Sequence, residues 1–218
     1  MRILFLVVML LCTSHAYSAQ NGTGFQTWMQ EFRQEAIKAG ISRSTVEQAL
    51  DDLQYKERVI ELDRKQPESR LTFTEYRERI VSPTRIRQGR ARLEEHRAAL
   101  ERASRRYGVA PQYIVALWGI ETSYGAITGG FNVIESLATL AYDGRRREFF
   151  TGELIEALRI IDQGHVGPDA MTGSWAGALG QNQFMPSSFH RFAVDGDGDG
   201  QADIWGNLDD VFASTANY

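Results

Sequence analysis

Apolar positions recur at helical spacing along most of the chain, and runs alternating with period two are scarce. Phe25, Trp28, Met29, Phe32 and Ala36 predict a first helix that Gly40 ends. Ser44 with Glu47 reads as a capping box for a short helix through Val46 and Leu50. Pro67 interrupts the chain further on. The segment "FTEYRERIV" is briefly amphipathic; Ser82-Pro83 then opens one long Arg- and Glu-rich helix that runs to Tyr107 and closes at Gly108. Ala110-Pro111 starts the next helix and Gly125 stops it, and two more span Val133 to Tyr142 and Arg147 to Ile161. From Gly173 the pattern changes to Gly, Ser and amides, and a last helix begins after Asn207 with Leu208, Val211 and Phe212 as its apolar stripe. No repeat or low-complexity linker interrupts this order, so the expectation is one mostly α-helical domain.

One position breaks the apolar pattern. Glu121 follows directly on a run that includes Val115, Ala116, Leu117, Trp118 and Ile120. Residues three and four apart share a helix face, so Glu121 keeps company with Leu117, Trp118 and Tyr124 rather than with charges. A carboxyl group wrapped in carbon loses hydration in its charged form, and its pKa rises. That is the environment of a general acid.

Composition narrows the alternatives. The 218 residues are 43% hydrophobic and 24% charged, enough for one sizeable core. Net charge is −4 and no long basic block appears, which argues against nucleic acid as a partner. The arginines and glutamates between residues 85 and 95 read as a solvated face laced with i,i+4 pairs.

The N-terminus carries Arg2, an apolar run from Ile3 to Leu11, and small residues Ser14 and Ala16 at the −3 and −1 positions of a cleavage site, with Ala19 as a second candidate. The run is too short to span a bilayer, so residues 1–19 read as a secretory signal peptide and 20–218 as the domain. The single cysteine, Cys12, lies within that signal, and Leu11 stands where a lipoprotein signal places a small residue. No lipid anchor and no disulfide are expected, a pattern that suits a Gram-negative periplasm.

Several chemistries lack their residues. There is no Gly-x-Ser-x-Gly elbow and no cysteine nucleophile, and His15, His96, His165 and His190 are isolated, without a His-Glu-x-x-His pair. What remains is one carboxylate on an apolar helix, a Gly/Ser/Gln-rich segment and many aromatics. Glycosidic cleavage needs a proton donor of raised pKa, together with aromatic faces and amide or hydroxyl donors for sugars.

A second motif concerns metal. "DGDGDGQAD" supplies oxygens at Asp195, Asp197 and Asp199, a backbone carbonyl at Gln201, and Gly200 at the sixth position, where an EF-hand loop turns sharply. The twelfth position is Gly206 rather than Glu, so the loop is EF-hand-like and departs from the full pattern there. A closed oxygen shell of this kind implies a structural calcium ion.

Several motifs occur in one order: "LDRKQPE", "YRERIVSPTRIRQGR", "GIETSYG", "NVIESLATLAYDGRRREFF", "GSWAGALGQNQFMPSSF" and "AVDGDGDGQADIW". Together they resemble the lytic murein transglycosylases of the membrane-bound B type, from about Phe25 to Tyr218. The resemblance implies a lysozyme-like helical fold and non-hydrolytic cleavage of peptidoglycan glycan strands. The bond would be the β-1,4 link from N-acetylmuramic acid to N-acetylglucosamine, leaving 1,6-anhydro-N-acetylmuramic acid. Glu121 would be the single acid/base. Ser174, Gln183, Tyr218 and Tyr76 would contact substrate, and Asp210, with Asp209 as the alternative, would close the calcium shell. Ser174 also reads as a helix N-cap before "WAGALG". Glu135, Glu148, Glu153 and Asp143 read as surface or structural acids.

The family pattern continues with further tyrosines and an asparagine beyond Tyr218, and "VFASTANY" ends without a cap. The expectation is therefore a C-terminally truncated chain whose last helix leaves its stripe uncovered, and which is a monomer when complete. Two other readings stay open: a muramidase, in which water replaces the C6 hydroxyl, and a non-catalytic calcium-stabilised wall-binding module.

Overall fold

The computed structural model describes residues 24–65 and 72–218. The expected signal peptide and Pro67 lie outside the described residues. Helices dominate as the periodicity predicts. They are α1 (24–38), α2 (Arg43–Leu50), α3 (Glu57–Arg64), α4 (Phe73–Ile80), α5 (Pro83–Glu95) and α6 (Arg97–Tyr107), followed by α7 (Pro111–Thr122), α8 (Val133–Asp143), α9 (Arg147–Asp162), α10 (Pro186–Phe192) and α11 (Leu208–Asn217). The described strands are two residues each: β1 (Phe131–Asn132) pairs antiparallel with β2 (Thr172–Gly173), Phe131 opposite Gly173.

Two apolar cores hold these elements. The larger gathers the buried faces of α1, α2, α3, α8 and α9, with Phe25, Phe32, Ile134, Leu137, Leu154 and Leu158 almost wholly out of solvent. The smaller joins α6, α7 and α11 through Leu100, Ile114, Val115, Trp118, Val211 and Phe212. Each large side chain removed from water in this way contributes ~1.5–3 kcal/mol. The stripe on α11 is therefore covered, with Val211 and Phe212 both fully buried, contrary to the expectation that it would be left bare.

Three local expectations are corrected. The long helix to Tyr107 is two helices. It breaks at His96, whose φ of −107° and ψ of 21° depart from helical values while its ring packs against Trp118 and Phe212 at 5.6 and 5.8 Å. The cap of α2 is Ser42, not Ser44: its hydroxyl accepts the Thr45 N–H, and Asp162 of α9 accepts from the Ser42 and Thr45 hydroxyls at 2.5 and 2.6 Å. A capping box does exist, at Thr72 and Glu75 of α4. No helix follows Ser174; its hydroxyl instead accepts the Ala178 N–H across a tight turn. Along α5 and α6 the i,i+3 ion pairs, such as Arg92 with Glu95 at 2.6 Å, are tighter than the i,i+4 pairs, such as Arg97 with Glu101 at 3.8 Å.

Candidate active site

Helix α7 starts on Pro111 with no side-chain cap and ends abruptly after Thr122. Ser123 and Tyr124 both adopt left-handed backbone, with φ of 51° and 63°. Each such residue costs ~1–2 kcal/mol, so the surroundings must hold it. They do. The Ser123 N–H donates to the Gly119 carbonyl, the Tyr124 N–H to the Trp118 carbonyl, and the Tyr124 hydroxyl to the Arg85 carbonyl at 2.7 Å. A Cβ on Gly119 would lie 2.5 Å from the Tyr124 ring, so glycine there makes room for the tyrosine folded back over the helix. This sharp stop leaves Glu121 in the last turn of α7, aimed into a cavity.

The cavity holds about 220 Å³ and lies at the seam between the two cores. Leu117, Trp118 and Glu121 form one wall; residues 181–185, Ser188 of α10, and Thr215 and Tyr218 at the end of α11 form the others. Among the described residues, Glu121 is the only carboxylate on this surface. Its side chain is accessible from the cavity mouth, yet the walls displace enough hydration that desolvation raises its pKa above the ordinary carboxylate value. No neighbouring charge contributes to that shift. A second cavity of about 240 Å³, over Val81, Ile86 and Ile120, is more apolar and has no carboxylate among its described lining residues.

The four expected substrate contacts separate in space. Gln183 and Tyr218 stand on the cavity wall with Glu121. Gln183 adopts φ of 51° and is anchored by its amide, which donates to the Thr128 and Gly180 carbonyls at 3.0 and 2.9 Å. Tyr218 rests on Phe184 and Phe192, at 5.5 and 4.9 Å between ring centroids, and exposes most of its surface. Ser174 and Tyr76 are not part of this wall. Ser174 closes its own turn beyond β2, and Tyr76 sits on α4, where no residue is buried. Glu135, Asp143 and Glu153 are likewise elsewhere: the first two pair with Lys56 and Arg64, and the third is buried against Ser187. The wall also includes Gln181, Asn182, Ser188 and Thr215, which periodicity could not single out. The one available signal was the amide cluster "QNQ" beside a turn-forming Gly180.

The acidic loop after α10 is ordered by its own backbone. Asp195 accepts the Gly198 and Gly200 N–H groups, Asp197 that of Asp199, and Asp199 that of Gln201. Asp210, fully buried at the start of α11, accepts the N–H groups of Gly196 and Asp203, both at 2.7 Å. Carboxylate oxygens of Asp195, Asp197 and Asp210 lie within 4.8 Å of one another. Burial raises the Asp210 pKa, and the nearby charges of Asp197 and Asp195 add to that effect. A cation would relieve this crowding, so the donor set fits a hard, oxygen-bound ion. Asp209 points elsewhere and pairs with Arg102 at 2.5 Å. Asp199 and the Gln201 carbonyl belong to the same loop but not to the three-carboxylate group.

Comparison with known proteins agrees with this architecture. Residues 24–218 match the transglycosylase SLT domain family. The chain is 33% identical over 200 residues to membrane-bound lytic murein transglycosylase B of Escherichia coli K12, covering 87% of this chain and 55% of that protein. Among solved structures, SltB3 from Pseudomonas aeruginosa in complex with NAG-anhNAM-pentapeptide superposes with a TM-score of 0.85. Its identity is 47%, covering 89% of this chain and 52% of that one. The Escherichia coli lytic transglycosylase Slt35 in complex with calcium gives a TM-score of 0.77 at 34% identity, covering 87% and 61%. The chain thus spans about half the length of the relatives it matches first.

Proposed function

Because the chain belongs to the transglycosylase SLT family, within the lytic murein transglycosylases of the B type, we propose that it cleaves peptidoglycan glycan strands by intramolecular transglycosylation. The observation that carries this reading is a lone carboxyl group of raised pKa on a wall otherwise made of amides, hydroxyls, aromatics and aliphatic side chains. A retaining hydrolase with a protein nucleophile needs a second carboxylate close by, and an inverting one needs a carboxylate base for water. Neither has a counterpart among the described residues lining the cavity.

One group can serve both halves of the reaction when the substrate brings its own nucleophile. Glu121, protonated at the start, donates its proton to the glycosidic oxygen as the bond from C1 of N-acetylmuramic acid breaks. The C6 hydroxyl of the same sugar then closes on C1, and the Glu121 carboxylate takes its proton. The C1–O4 bond is lost, the C1–O6 bond is gained, and no water is consumed. Gln183 and Tyr218 would hold sugar hydroxyl and N-acetyl groups, and Ser174 and Tyr76 would bind strand further from Glu121.

The carboxylates of Asp195, Asp197 and Asp210 would hold calcium, with Asp199 and the Gln201 carbonyl completing the loop. The ion would brace α11, and through it Thr215 and Tyr218, without taking part in the chemistry. The similarity to a relative solved with calcium supports this assignment. Residues 1–19 would direct the protein to the periplasm. No described helix is long and apolar enough to cross a membrane.

Mass spectrometry of murein digested by the protein tests the reaction. Muropeptides ending in 1,6-anhydro-N-acetylmuramic acid, one water lighter than hydrolysis products, are expected. Reducing ends that incorporate solvent oxygen would instead show a muramidase. Retention on murein with no products would show a binding module.

A further inference from the structure

Gln181 is fixed at every polar atom. Its side-chain oxygen accepts the Trp118 indole N–H at 2.8 Å, and its side-chain nitrogen donates to the Trp205 carbonyl at 2.9 Å. Its backbone N–H donates to the Ile204 carbonyl, and its carbonyl accepts the Thr122 hydroxyl at 3.1 Å. Gly125 leaves space for it: a Cβ there would lie 2.3 Å from the Gln181 side-chain oxygen. An indole N–H demands an acceptor and a peptide carbonyl demands a donor, and a primary amide of this length satisfies both without a change of protonation.

Trp118 is almost wholly buried. It is wedged edge-on among His96, Tyr124 and Phe212, with centroid separations of 5.6, 5.6 and 5.1 Å. It lies three residues before Glu121 on α7 and lines the same cavity. We propose that Gln181 is a positioning residue: by bridging the Trp118 indole to the Trp205 carbonyl, it locks the indole as the apolar wall beside Glu121. This rests on Glu121 being the acid, as proposed above. The indole covers the cavity beside Glu121, and loss of hydration is what raises the Glu121 pKa. Freeing the indole lets water in and lowers the Glu121 pKa.

Few other groups can shift that titration. Among the described residues, Tyr218 is the only other titratable one on the cavity wall. Behind the indole stand His96, 3.6 Å from Glu95, and Tyr124, whose hydroxyl donates to the Arg85 carbonyl. None of them contributes to the Glu121 shift.

The test is Gln181→Met, similar in length but unable to bridge, alongside Trp118→Phe, which keeps a ring and removes the N–H. Both are checked for an unchanged fold by circular dichroism. Each is expected to lower kcat by roughly tenfold, part of what a positioned general acid supplies, with KM on glycan strands within about twofold, as for an interaction made only in the transition state. The alkaline limb of the kcat–pH profile should move to lower pH in both. A ¹³C-carboxyl titration of Glu121 without substrate, comparing wild type with Gln181→Met, should show the pKa falling toward the ordinary carboxylate range. An unmoved Glu121 titration, or a rise in KM with kcat intact, overturns the proposal. Failure of the underlying reading is distinguishable, because it would appear in wild type as absent anhydro products while the titration still reports the wall.

Discussion

Glu153 of α9 accepts both the backbone N–H of Ser187, at 2.9 Å, and the Ser187 hydroxyl, at 2.6 Å. Helix α10 opens at Met185-Pro186 with no side-chain cap of its own. A buried acid thirty-four positions earlier therefore supplies the acceptor that an N-cap side chain would provide. Met185 and Ser188, on either side of this contact, line the Glu121 cavity, so the bond places one of its walls.

Glu153→Ala should destabilise the protein by ~1–3 kcal/mol, because the Ser187 donors lose their acceptor in a buried setting. Glu153→Gln, which keeps one acceptor, should cost less. Urea unfolding of the two variants beside wild type reads the order, and an Ala variant as stable as wild type would contradict it.

Glu121→Gln should abolish release of muropeptides, since an amide keeps the shape but cannot give and retrieve a proton. Its effect on stability has a definite sign. The folded pKa of Glu121 is raised above its unfolded value, so the stability it contributes is complete below the unfolded pKa and is lost as pH rises through the folded pKa. The variant should therefore gain on wild type between acid and neutral pH, staying within about 1 kcal/mol. Guanidinium titrations at the two pH values measure the crossover; a variant that falls behind wild type as pH rises would refute the assigned direction.

Calcium added after chelation should raise the melting temperature, because an ion bound only by the folded state stabilises it by mass action, ~2.7 kcal/mol at a hundredfold excess over Kd. Asp210→Asn, or Asp195→Ala combined with Asp197→Ala, should remove that increase. The measurement is thermal unfolding followed by circular dichroism across a calcium series. Equal shifts in wild type and variants would mean that these carboxylates do not hold the ion.

Two glycines should respond in opposite directions. Gly129 has φ of +97°, and a Cβ there would lie 2.0 Å from the Gly173 carbonyl oxygen, so Gly129→Ala should cost more than about 1 kcal/mol. Gly152 sits inside α9 with nothing within 4 Å of an added Cβ, so Gly152→Ala should stabilise by about 0.5–1 kcal/mol. Paired thermal melts decide both.

Periodicity and local chemistry alone determined the helical class, most element boundaries and the apolar run of α7 that leads to Glu121, because each depends on residues within one or two turns of each other; the walls that close around Glu121 come from residues 181–185, α10 and the end of α11. The sequence of acids in "DGDGDGQAD" likewise announced an oxygen-rich loop, since EF-hand spacing is a local property. Resemblance, rather than spacing, brought Gln183 and Tyr218 to the same site. Tertiary structure decided the rest. His96 divides α5 from α6 where its ring meets Trp118 and Phe212, which are distant in sequence. Asp210 rather than Asp209 meets Asp195 and Asp197 because α11 turns one acid into the loop and leaves the other to Arg102. Gln181 could not be distinguished from its amide neighbours until the fold brought Trp118 and Trp205 to its two ends. A donor on one side and an acceptor on the other come from segments separated along the chain, and no pattern within a single segment encodes which of them will meet.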